Sequence, residues 1–156
     1  MAAALAALAF GLAAAAVIVN SARGTPPSGL STEPLGRGTT LTGFKIHVDG
    51  VKVESKDAVD FAVAHLTFAR GGSTGWHVHP GPVLVIVKSG SVTRYSAADC
   101  SAQTYTAGQA FVENGPNDEN MVRNEGSVPA ETIVTFIAPP GAMVRDDAAA
   151  PPGCNP

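Results

Sequence analysis

Two histidines one residue apart, His77 and His79, stand in the stretch Gly71-Gly-Ser-Thr-Gly-Trp76-His77-Val-His79-Pro-Gly-Pro-Val83. In a strand, residues i and i+2 point to the same face, so these imidazoles project side by side, as two ligands of one metal would. Two neutral imidazoles do not balance a divalent ion, and high-affinity transition-metal sites usually hold three or more protein ligands. The chemistry of the pair therefore turns on which further donors the fold brings to it.

The spacing resembles the first motif of the cupin superfamily: Gly, five residues, His-x-His, three or four residues, Glu, six residues, Gly. Gly71, His77, His79 and Gly90 match it, and Val83 occupies the glutamate position. The wording Gly-Trp-His-x-His-Pro-Gly-Pro is similar to that of small secreted bacterial cupins, and the resemblance runs from about Thr25 to the C-terminus. It implies an all-β, double-stranded β-helix (jelly-roll) barrel with the site in its mouth. It also implies a third histidine from a second motif, whose best match is Gly108 to Asn124. That span is one residue too long. Counting forward from Gly108 puts Glu119 at the third-histidine place, and counting back from Asn124 puts Asn120 there. Asn120 is favoured, because Met-Val-Arg-Asn-Glu-Gly resembles the segment that follows this histidine in cupins.

The ligand set expected on this basis is His77, His79 and Asn120, with Glu119 or Asp118 supplying charge if the loop turns either inward. Two His and one carboxylate form the facial arrangement of non-haem iron oxygenases. The expected cofactor is one divalent transition metal (Fe, Mn, Ni, Cu or Zn), weakly bound or absent. Trp76, Val83, Asp118 and Glu113 are assigned to the ligand pocket. Trp76 has core packing as its alternative, and Glu113 is either a general acid or base at the rim or a solvated turn carboxylate. His65 is a replacement ligand or a satisfied histidine, and His47 is an exposed strand residue.

The elements that must position these groups are short strands. The 156 residues are 45% hydrophobic, with 17 Gly and 12 Pro, which suits one turn-rich β domain. Strands are predicted at Phe44–His47 and Val51–Glu54 around an Asp49-Gly50 turn, and at Val59–Phe68. Gly71 to Gly75 reads as a turn, and Val83–Val87 as a strand buried on both faces. Further strands follow at Ser91–Tyr95, Thr104–Thr106, Ala110–Glu113, Asn120–Arg123 and Thr132–Ile137, with a short edge strand at Met143–Arg145. No helix is predicted after residue 20.

Met1 to Val19 carries no charged side chain and reads as an export segment. Residues 1–22 are assigned to a signal peptide or membrane anchor, 23–40 to a linker or arm, and 41–156 to the barrel. An even cysteine count in an exported chain predicts one disulfide, Cys100 to Cys154, stapling the Pro-rich tail to the barrel. A net charge of −3 with scattered Lys and Arg excludes a nucleic-acid stripe.

Three functions compete. One is an exported barrel that binds a small molecule at a degenerate metal site. The second is a metal-dependent oxidoreductase acting on a small organic substrate. The third is a structural or partner-binding barrel, and the sequence leaves open whether the chain forms a homodimer as many cupins do.

Overall fold

The computed structural model describes residues 24–154, and the expected export segment lies outside the described residues. Twelve strands and no helix form the fold in this range. They run β1 Ser28–Thr39, β2 Phe44–Val48, β3 Val51–Ser55, β4 Asp60–Ser73, β5 His77–Val78 and β6 Val83–Ser89. The second half is β7 Ser91–Ser96, β8 Ala102–Thr106, β9 Ala110–Glu113, β10 Asn120–Arg123, β11 Ala130–Ala138 and β12 Asp146–Asp147.

Ten of these strands make one antiparallel sheet rolled into a nearly closed jelly-roll barrel, and β2–β3 form a separate hairpin. The long strand β4 is its spine. It pairs with β1 on one edge and β11 on the other over Asp60–Phe68, then reaches β10 at Ser73. Beyond β11 come β6 and β9, while β10 is flanked by β5 and β7. The core between the layers holds Phe68, Val85, Val87, Val92, Phe111 and Val134, all buried.

Four expectations are corrected here. The segment read as a linker contains a 12-residue strand, β1, because ladder bonds to β4 outweigh its Gly and Pro content. Residues 71–73 continue β4 instead of turning, since Ser73 pairs with β1 and β10, and Gly71 and Gly72 exchange backbone hydrogen bonds with Asn124. Strand β6 is buried on one face only: Leu84 and Ile86 are 45% and 52% exposed while Val83, Val85 and Val87 are buried. An antiparallel sheet commonly leaves one face to solvent, and an apolar run alone does not reveal which. The last short strand falls at Asp146–Asp147, after the predicted Met143–Arg145, where it pairs with β5.

Buried Asp60 fastens the far end of β1. Its carboxylate accepts hydrogen bonds from Thr39 Oγ1 (2.5 Å), the Gly141 amide (2.9 Å) and Arg37 Nε (2.8 Å). The Thr39 bond, then the Gly141 amide and Arg37, hold its pKa down to about 2. A depressed carboxylate adds stability above its ordinary pKa of 3.8 and loses it as pH falls toward 2. Asp60→Asn is thus expected to melt below wild type at pH 7, with the gap closing between pH 4 and 2. A gap that stays constant over that range in thermal melts contradicts this.

Candidate metal centre

His77 and His79 lie at the barrel end where Thr25 meets Ala148, whose carbonyl accepts from the Thr25 amide at 2.8 Å. Two glycines bracket them, and each passes too close to other backbone for any side chain. A Cβ on Gly75 would sit 2.0 Å from the Thr25 carbonyl oxygen, and one on Gly81 2.1 Å from that of Ile137. The same strap is hydrogen-bonded on both sides. The Trp76 amide donates to Thr25 Oγ1 at 2.6 Å, and the Ala148 amide donates to the Trp76 carbonyl at 2.9 Å. These contacts give a physical reason for the glycine spacing around the histidine pair.

The imidazoles meet edge to face with ring centres 4.7 Å apart, and His79 also packs against Phe136. The third group is Glu113. One donor atom from each of His77, His79 and Glu113 lies within 4.8 Å of the others, and all three residues are buried. Glu113 Oε2 is 2.8 Å from His79 Nε2 and 4.0 Å from His77 Nε2.

Hydrogen bonding fixes which nitrogens face inward. His77 Nδ1 donates to the Gly75 carbonyl at 2.9 Å, and His79 Nδ1 donates to the Val144 carbonyl at 2.5 Å. A carbonyl only accepts, so both Nδ1 atoms carry the proton and both Nε2 atoms turn to Glu113. Backbone carbonyls commonly orient metal-bound histidines in this way. At His79 both ring nitrogens face acceptors, so a proton or a cation must lie between Nε2 and the carboxylate. A buried carboxylate with two oriented imidazoles is a chemically sound donor set for one divalent transition metal.

Burial, seconded by the Arg145 charge, lowers the His77 pKa to about 4 and keeps the ring neutral. A group whose folded pKa is depressed in its neutral form costs stability as pH falls, because the unfolded chain takes the proton first. Metal-free protein is therefore expected to lose about 3 kcal/mol between pH 6.5 and 4 from this group. Denaturant titrations in chelator should show the loss, and it should vanish in His77→Leu. An equal loss in the variant contradicts it.

The carboxylate comes from the predicted strand Ala110–Glu113: Glu113, expected in the ligand pocket, joins the histidines in the donor group itself. Glu113 on β9 stands directly across from Val83 on β6, so the charge absent at Val83 is supplied by its cross-strand neighbour. Glu113 is 3% exposed, so it is no solvated turn residue. Asp118 is engaged elsewhere, paired with Arg94 and accepting from the Asn114 amide at 2.7 Å. It braces the turn between β9 and β10. Glu119 is half-buried, and it stands outside the His77–His79–Glu113 group.

Asn120 is fully buried and stands across from His77 in the β5–β10 register. Its amide nitrogen donates to the Asp118 carbonyl at 3.0 Å, and its buried Oδ1 has no hydrogen-bond partner among the described residues. Trp76 packs with Met121 and Cys154 in a second core cluster, away from the main cavity. Val83 is also core. His65 faces out and bridges Glu131 (2.8 Å) and Glu33 (3.4 Å), and His47 is exposed. Cys100 and Cys154 are bonded to each other.

A cavity of about 560 Å³ extends from the three donors, within the range of small-molecule sites. Its walls are mainly apolar, with Leu30, Leu66, Phe68, Val85, Val134 and Phe136 prominent. Arg145 borders the donor end, where it hydrogen-bonds the Thr74 carbonyl at 2.6 Å and pairs with Asp147.

No protein-family profile and no curated protein matches the chain. Solved structures do. A Cupin 2 conserved barrel domain protein from Salinispora arenicola CNS-205 aligns with a TM-score of 0.50 and 16% identity, over 86% of this chain and 92% of that one. An RmlC-like cupin from Shewanella frigidimarina NCIMB 400 aligns with a TM-score of 0.50 and 17% identity, over 72% and 79%. An oxalate oxidase in complex with the substrate analogue glycolate overlaps less, with a TM-score of 0.43 and 22% identity over 48% of this chain and 40% of that one. The chain has the cupin-type double-stranded β-helix fold.

Proposed function

We propose that the barrel holds one divalent transition metal on His77, His79 and Glu113 and uses it to bind a small organic molecule in the adjoining cavity. The observation that carries this reading is the buried three-donor group with both Nε2 atoms turned to the carboxylate. The unpartnered Asn120 Oδ1 across from His77 supports a weak fourth donor. A metal so held supplies Lewis acidity and open coordination positions. The chain's own part is to exclude water with apolar walls, and to set the positive Arg145 beside the oxygen-binding end.

The test is calorimetric titration of metal-loaded and metal-stripped protein with hexanoate. Binding at least tenfold tighter in the loaded form supports the reading, and equal binding in both forms rejects it. A second reading is a metal-dependent oxidoreductase, favoured by the two-His-one-carboxylate set. Ligand-dependent oxygen consumption separates it from simple binding. Export is part of the same proposal, supported by the uncharged Met1 to Val19 and by the Cys100–Cys154 bond.

A further inference from the structure

The sheet register maps the cavity as a series of rows of inward-facing residues. The row at the metal end reads Arg37, Ala62, Phe136, Val83, Glu113 across β1, β4, β11, β6 and β9. The next is wholly apolar: Pro34, Ala64, Val134, Val85. The third reads Thr32, Leu66, Thr132, Val87. Phe136, in contact with His79, and Thr132 lie four positions apart on β11, which is roughly 13 Å along a strand.

Thr132 is the exception in that wall. It is 1% exposed and lines the cavity, yet its buried Oγ1 has no hydrogen-bond partner among the described residues. Three other polar residues of the cavity wall are engaged. Thr74 Oγ1 donates to the Gly75 carbonyl at 2.9 Å, Arg37 is held by Asp60, and Arg145 by Asp147. Thr32, across Leu66 in the same row, adds a second hydroxyl at the more open side. A buried hydroxyl left without a partner costs on the order of 1–3 kcal/mol, so a ligand that supplies the partner gains from it.

We propose that Thr132 is a specificity residue, and that the cavity takes an elongated aliphatic molecule with two oxygen-bearing ends. One end is an anionic oxygen at the metal beside Arg145, and the other is a hydroxyl that hydrogen-bonds Thr132. Allowing a coordination or hydrogen-bond length at each end leaves about 8 Å between the two oxygens. This rests on the metal reading above, and it adds the far end of the ligand.

Hexanoate and octanoate, with 6-hydroxyhexanoate and 8-hydroxyoctanoate, serve as probes in titrations of metal-loaded wild type, Thr132→Val and Thr132→Ser. Wild type is expected to bind the better-fitting hydroxy acid about tenfold more tightly than its parent acid. Thr132→Val should erase that preference while its ligand-free unfolding midpoint stays level or rises, and Thr132→Ser should keep the preference. Absence of the preference in wild type, its survival in Thr132→Val, or failure of all four acids to bind overturns the proposal. Metal content of the same samples separates the two readings. A vacant metal site with a Thr132-dependent preference rejects the metal alone, and a filled site without the preference rejects only the role of Thr132.

Discussion

Glu113→Gln is expected to lower transition-metal affinity about a hundredfold or more while the barrel stays folded. Loss of a residue that merely orients a ligand typically costs 10–100-fold, and Glu113 is placed to be a ligand itself. It is also the carboxylate in the three-donor group, so without it two neutral imidazoles face a divalent ion with no compensating charge. Gln keeps the shape and retains one oxygen acceptor, so the buried site beside His79 is not emptied. Glu119→Gln is the matched control and should bind metal as wild type does. Equilibrium dialysis of the two variants decides which carboxylate is used. Equal loss in both, or loss in Glu119→Gln alone, would return the ligand to the loop.

Removing the Cys100–Cys154 bond is the second large effect. The two cysteines are 54 residues apart in sequence, and closing a loop of that size stabilises by about 4 kcal/mol in the chain-entropy model. The consequence should reach the metal site. Cys154 packs on Trp76, and the tail segment that carries it also pairs through β12 with His77 and Val78. Arg145 and the Val144 carbonyl that orients His79 lie on the same segment. Cys100→Ser/Cys154→Ser is therefore expected to shift the denaturant midpoint down and to weaken metal binding severalfold, and reductant should do the same to wild type. An unchanged midpoint in both experiments would show that the tail is held without the bond.

The histidine pair, most strands and the disulfide were legible in the sequence because each rests on local spacing or on a count of two. Glu113 was legible as a pocket carboxylate but not as the histidines' partner, because it reaches them through the register of β6 against β9, which links positions 30 residues apart. One local sign was available. Ala110–Glu113 alternates, so Glu113 shares the inward face of the core residue Phe111, and a strand-end carboxylate on that face is aimed at the barrel interior. Asp118 misled for the opposite reason: proximity in sequence to Asn120 says nothing of Arg94, which claims it from another strand. Strand β1 was hidden by its Gly and Pro content, since its pairing with β4 depends on residues that follow it by some thirty positions.

The most direct test of the metal centre is elemental analysis of protein purified without a metal-binding tag and incubated with Fe(II), Mn(II), Ni(II), Cu(II) or Zn(II), beside His77→Ala/His79→Ala. Near one equivalent of a single metal in wild type, lost in the double variant, is the predicted result. No metal retained from any of the five, or equal retention in the double variant, would contradict it.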